Sequence, residues 1–130
     1  MNKRFTMELV KDVRLQLLTN CPNVYFREAK EKEKAYPYIV FDVRPLVDRR
    51  MVLELDIWDI RERTVNSETV YGEAEIRNLG DDIEDFFDGM VLSLPQYIAS
   101  FYSNNDMKGV LDENKDIKHL NMSFDIIYQS

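Results

Sequence analysis

The sequence predicts an α+β protein in which a mostly antiparallel β-sheet of about four to five strands packs against two α-helices. In residues 36–43 and 51–58 apolar side chains recur at alternate positions, and a short polar link joins the two runs, which is typical of a β-hairpin. Residues 5–19 and a segment from Tyr71 onward carry apolar side chains at helical spacing instead. With 130 residues, 45% of them hydrophobic, we predict a single domain over 1–130 with its own core.

The N-terminal segment predicts an amphipathic helix followed by a short strand. Apolar residues recur at every fourth position of residues 5–19, namely Phe5, Leu9, Val13 and Leu17. Pro22 ends this helix because proline cannot continue the hydrogen-bond ladder and restricts the residue before it. Residues 24–26 are then expected to form a short strand, and residues 27–35 a charged, solvated connection.

Each strand of the central hairpin has an aliphatic face and a mixed face. The aliphatic face carries Ile39, Phe41, Val43, Leu53, Leu55 and Ile57. The opposite face brings together aromatic and acidic side chains, including Tyr38, Glu54, Asp56 and Trp58. The plain interpretation of Glu54 and Asp56 is exposure to solvent, since a cation site would need a third ligand that the sequence does not indicate.

The middle of the chain predicts a polar loop over 59–70 and a second helix from Tyr71 to about Met90. Ser67 or Thr69 is the expected N-cap, since a hydroxyl can accept a hydrogen bond from the first turn. Gly80 weakens the middle of this helix and allows a kink there. Gly89 is the expected stop.

The C-terminal part predicts a second hairpin. Apolar residues alternate again over 97–102 and over 120–128, which indicates two strands. Turn-forming residues at 104–106 and 112–116 lie between them, so the connection is expected to be long and irregular.

The chain offers few side chains for catalysis or metal binding. It has one cysteine, Cys21, and one histidine, His119, and it lacks glycine-rich phosphate loops, Ser/His/Asp arrangements and CxxC pairs. Cys21 is expected to be a buried or half-buried residue at the end of the first helix, and His119 a residue on a strand surface. We therefore predict that the protein is not an enzyme and has neither cofactor nor metal; a hydrolase that uses Glu54 and Asp56 is the weakest alternative.

The charge of the chain is −7 and is unevenly distributed. Residues 1–34 are slightly basic, whereas the rest is acidic and includes Asp81, Asp82 and Asp85 on the polar side of the second helix. A groove for nucleic-acid phosphates needs a basic face, so we predict no sequence-specific nucleic-acid binding. No apolar stretch approaches the ~20 residues that cross a bilayer, and the N-terminus lacks the apolar core of a secretion signal. We therefore expect no membrane partner and a cytoplasmic place of synthesis and assembly.

The order of the segments gives a more specific indication. Residues 36–41 read Tyr-Pro-Tyr-Ile-Val-Phe, residues 53–59 read Leu-Glu-Leu-Asp-Ile-Trp-Asp, and a polar loop and the helix from Tyr71 follow. This order resembles the tail-completion proteins of long-tailed phages and prophages, also called tail terminators or head–tail joining proteins. The resemblance covers residues 7–128 approximately and consists of core residue types and segment lengths, without a catalytic signature.

The resemblance implies a structural virion protein that assembles in the host cytoplasm. Family members form a ring, hexameric in that family, which caps the tail tube, docks to the head connector and leaves a channel for DNA. The expected partners are therefore copies of this chain, the tail tube protein and the connector or stopper protein of the head. The residues assigned to the assembly interface are Tyr38, Glu54, Asp56, Trp58, Arg61, Glu62 and Arg63. Asp81, Asp82 and Asp85 would face the channel.

The alternative is an α+β module that binds a small ligand or a peptide without catalysis. Its sheet face would form the floor of a pocket, and Tyr38, Glu54, Asp56 and Trp58 would supply the convergent polar groups that such a site needs.

Overall fold

The computed structural model of the protein describes residues 3–29, 35–95 and 97–129. The charged run over 30–34 and the side chain of Phe5 lie outside this description. Within it, the chain forms the following elements in order: α1 (Lys3–Leu17), β1 (Val24–Phe26), β2 (Tyr38–Pro45), β3 (Arg50–Ile60), β4 (Glu62–Val65), β5 (Glu68–Tyr71), α2 (Gly72–Phe87), β6 (Val91–Leu94), β7 (Tyr97–Ser103), β8 (Lys108–Val110) and β9 (Ile117–Gln129).

Seven of these strands form one mixed sheet with the order β1-β2-β3-β9-β7-β6, and β8 pairs with the remaining part of β9. β1 runs parallel to β2, whereas the other pairs are antiparallel. The predicted fold class, an α+β protein with four to five mostly antiparallel strands, is therefore wrong: the protein is mostly β. The prediction failed because β6 and β8 have only four and three residues, too few for alternation to be recognised.

Both predicted helices are present, and they pack on the same face of the sheet, which we call the helix face. Leu9, Val13 and Leu17 of α1 and Ile83 of α2 join one continuous buried cluster with the inward side chains of β2, β3, β7 and β9. The Tyr97 hydroxyl of β7 donates a 2.7 Å hydrogen bond to the Asp12 carboxylate of α1, which ties this helix to the sheet. In the described ranges, neither helix is long and apolar enough to span a membrane.

Gly80 allows α2 to lie close to the sheet and does not interrupt the helix. A Cβ atom at Gly80 would lie 2.7 Å from Leu120 Cδ2 of β9 and 2.7 Å from Met107 Sδ. The helix ends where predicted, since Gly89 follows it with a φ of +80°, a left-handed conformation that glycine adopts without strain.

The predicted polar loop over 59–70 is wrong. β3 continues to Ile60, and β4 and β5 form a separate two-stranded hairpin, which we call the arm. Asn66 and Ser67 both have positive φ angles, 52° and 67°, and this is the backbone of a two-residue turn whose twist matches the flanking strands. The expected cap is also wrong, because Ser67 and Thr69 lie in the arm and α2 begins after Tyr71 without a side-chain cap.

Candidate assembly interface

The face of the sheet opposite the two helices is here called the open face. In the described part of the chain, both helices pack on the other side, so strand residues of alternate phase are left facing outward. The predicted mixed face of the hairpin lies here: Tyr38 is opposite Trp58 in the β2–β3 register, and Asp56 is opposite Val40. The alternation therefore assigned the side of the sheet correctly for these residues.

Aromatic rings form a row across one end of the open face. The register of β2, β3 and β9 places Tyr38, Trp58 and His119 side by side. The Trp58 ring stacks on both neighbours, with ring centroids 5.2 Å from Tyr38 and 4.2 Å from His119. Burial raises the pKa of the Tyr38 hydroxyl to about 12, with smaller contributions from Tyr36 and other neighbours. Trp58 is thus held within this row, on both sides, by its own chain.

The acidic side chains of the open face are also partnered. Asp56 Oδ1 lies 2.7 Å from His119 Nε2 and accepts a 2.9 Å hydrogen bond from Asn121 Nδ2. Glu54 pairs with Arg44 at 3.1 Å. An Asp–His pair can activate a nucleophile, but the two side chains described in direct contact with this pair, those of Asn121 and Trp58, are not nucleophiles. Among the described residues, no group of three His, Cys, Asp or Glu side chains could hold a metal ion.

Arg61, Glu62 and Arg63 are not joined to this row. Glu62 is exposed on the arm, and the backbone N–H of Arg61 donates to Asp116 O. Arg63 turns toward α2, with its Nε 3.5 Å from Asp59 Oδ1 and a terminal nitrogen 3.6 Å from Glu75 Oε1. The predicted interface set is therefore divided between the open face and the base of the arm.

Asp59 is a buried carboxylate that sequence reasoning placed in a loop. Its side chain is 0% exposed, Oδ1 accepts a 2.8 Å hydrogen bond from Ile60 N, and Oδ2 has no described partner. Burial raises the pKa of this carboxyl group, while Arg63 opposes the shift. A raised pKa means that the protonated form stabilises the fold, and that this stabilisation is lost as the pH rises through the folded-state pKa.

We expect Asp59→Asn to raise the free energy of unfolding at pH 7 by about 1 kcal/mol, because the neutral amide avoids the cost of a buried, incompletely bonded charge. The advantage should shrink as the pH falls toward 3.8, the ordinary pKa of the group. Urea unfolding at several pH values measures both effects. Asp112→Asn on an exposed loop is the matched control. A variant that is less stable than the wild type at pH 7 would show that the Arg63 contact outweighs desolvation.

Six exposed apolar side chains lie at the end of the sheet that includes the β2–β3 turn. We call them the apolar patch: Leu46, Val47, Val91, Ile98, Tyr102 and Ile127. The register explains their proximity, since Ile127 of β9 and Val91 of β6 both lie opposite Ser100 of β7. Part of this patch could be recognised from the sequence, because apolar residues occur on both faces of the strand predicted over residues 97–102.

The acids predicted to face a channel lie on the other side of the molecule. Asp81, Asp82 and Asp85 are exposed on α2, which packs on the helix face. Phe86 stands among them with 37% of its surface exposed. Their position relative to a channel stays a prediction.

Cys21 is buried, as predicted, and follows the turn that ends α1. Burial raises the pKa of its thiol, which disfavours the nucleophilic thiolate.

Comparison of the chain with protein-family models and with curated proteins gives no match.

Proposed function

We propose that the protein is a tail-completion protein, a structural virion component that closes into a ring of identical copies on the end of a phage or prophage tail tube. In this role it joins the tube to the head connector, leaves a channel for DNA and catalyses no reaction. The apolar patch at the end of the open face is the observation that carries the proposal. Contiguous exposed apolar surface, rimmed by polar residues, marks sites of protein–protein contact.

The character of the surface supports assembly over ligand binding. Ile98 and Tyr102 are 46% and 47% exposed on an extended strand, which suits a broad contact with another protein. The polar groups that the alternative would need, Asp56 and Trp58 among them, already bind or stack on residues of the same chain. They are therefore less suited to meet a small ligand than a set of free groups converging on a cavity.

A ring built from one kind of subunit needs two different surfaces on each copy. The strand residues of the apolar patch belong to the open face and the acids of α2 belong to the helix face, so the subunit has dissimilar surfaces on its two sides. The proposed partners are other copies of the chain, the tail tube protein and the connector or stopper of the head. Assembly would take place in the host cytoplasm, and the final location would be the virion.

Tail tubes polymerised from the tail tube protein of the phage or prophage that carries this gene provide the test. We expect the purified protein to cap tube ends with an annular density in negative-stain images and to arrest further growth when more tube protein is added. Bovine serum albumin at the same concentration is the negative control. Tubes that keep growing with bare ends in the presence of excess protein contradict the proposed function.

A further inference from the structure

We infer that the apolar patch and the arginines beside it bind the acidic face of α2 on the next copy of the chain. This inference rests on the proposed function, since it names the contact that would close the ring. The partner that binds the patch is a second copy of the chain, because the two surfaces are complementary in charge and both contain exposed apolar side chains.

The first surface is the apolar patch together with the β2–β3 turn at its edge, where Arg49 and Arg50 outnumber the acidic Asp48. The turn between β2 and β3 exposes Leu46 and Val47, which are 52% and 82% exposed, next to Arg49 and Arg50. The turn is anchored to the sheet, because Tyr128 N donates a 3.0 Å hydrogen bond to Arg49 O. Within the described residues, neither arginine forms a side-chain ion pair. Both guanidinium groups are thus available to an acidic partner.

The second surface is the exposed side of α2. Asp81 and Asp85 lie four residues apart and therefore one above the other on the helix, and Asp82 lies beside them. Like charges at this spacing destabilise a helix, and cations from another molecule would relieve their repulsion. Phe86, 37% exposed, gives this surface an apolar group that can meet the apolar patch.

The strand residues of the apolar patch and the acids of α2 lie on opposite sides of the sheet, so one copy cannot bring its own surfaces together. A contact between them is head-to-tail, and repeated head-to-tail contacts generate a ring when the rotation closes. Nucleic-acid phosphates would also attract Arg49 and Arg50, but the exposed side chains of Val91 and Ile98 favour a partner with apolar groups. In this arrangement Asp81, Asp82 and Asp85 contact the neighbouring subunit instead of facing the channel.

Charge reversal on each surface tests the contact. One variant carries R49E and R50E, and the other carries D81K and D85K. Each variant alone should assemble about 100-fold more weakly than the wild type, because like charges then face each other across every contact. An equal mixture should regain assembly, since every contact in an alternating ring again pairs opposite charges. Sedimentation velocity measures the mass distribution of all four samples.

The mixture also guards against misfolding, because two unfolded variants would not rescue each other. The control exchanges charges on the exposed loop after β8, with E113K and K115E, and should assemble like the wild type. If the reversal variants assemble and cap tubes normally, this inference is wrong and the proposed function stands. The same conclusion follows if the mixture of the two folded variants does not regain assembly. A wild-type protein that neither assembles nor caps tubes overturns both.

Discussion

Gly72→Ala is expected to destabilise the protein by about 3 kcal/mol or more, because the added methyl group would clash with backbone atoms that cannot move aside. A Cβ atom at Gly72 would collide with the carbonyl oxygen of Ile60 and would lie 3.2 Å from the Asp59 Cβ. Ile60 is the last residue of β3 and pairs with Ile117 of β9, so its backbone cannot move away from the added Cβ atom without disrupting this pairing in the central sheet. Gly72 N donates a 2.9 Å hydrogen bond to Arg61 O, which fixes the start of α2 at this point.

Urea unfolding followed by circular dichroism measures this effect. Gly109→Ala is the matched control, since the nearest atom that its Cβ would meet is a guanidinium nitrogen of Arg77 at 3.8 Å, an ordinary contact. The control should change the free energy of unfolding by no more than about 1 kcal/mol. Equal losses of stability in the two variants would contradict the tight approach of α2 to the end of β3.

Ile98→Asp should abolish tube capping and weaken self-association by about 100-fold, because an unpaired carboxylate would be buried within the contact. Ile98 is 46% exposed on the open face and lies opposite Ser93 and Gln129 in the sheet. The monomer can hydrate the new charge, so its fold and its unfolding curve should be nearly unchanged. The measurement is the fraction of tail tubes with capped ends in electron micrographs.

Leu111→Asp is the control for this prediction. Leu111 is fully exposed on the connection between β8 and β9 and lies outside the apolar patch. The same change of an aliphatic residue to aspartate should therefore leave capping intact. If both variants cap tubes as well as the wild type does, the apolar patch does not mediate assembly.

Long periodic segments of the fold could be predicted from the sequence, and short or tightly turned ones could not. Both helices and the strands β2, β3, β7 and β9 lie where their periods indicated, since each has at least seven residues over which a pattern can be recognised. β6 and β8 are too short for that. The arm was missed because its turn uses Asn66-Ser67, a weaker hairpin signal than Asn-Gly.

In the candidate interface as well, features set by neighbouring residues could be predicted from the sequence, whereas contacts between distant segments could not. Alternation alone placed Tyr38, Asp56 and Trp58 on one face, because the side-chain period of a strand is two. The hydrogen-bond partners of Asp56 and the His119 ring that stacks on Trp58 come from β9, and the β3–β9 register joins residues about sixty positions apart in the chain. The apolar patch collects residues from four separate segments, so no local pattern could indicate it.

In the proposed assembly, the end of the open face is buried between copies of the chain. Hydroxyl-radical footprinting of the wild-type assembly, compared with the Ile98→Asp monomer, tests this burial. Tyr102 in the apolar patch is 47% exposed and Met7 on α1 is 52% exposed, so the two side chains start from similar accessibility in the monomer. We expect oxidation of Tyr102 to fall severalfold in the assembly and oxidation of Met7 to stay unchanged. Equal oxidation of Tyr102 in the two states would contradict this burial.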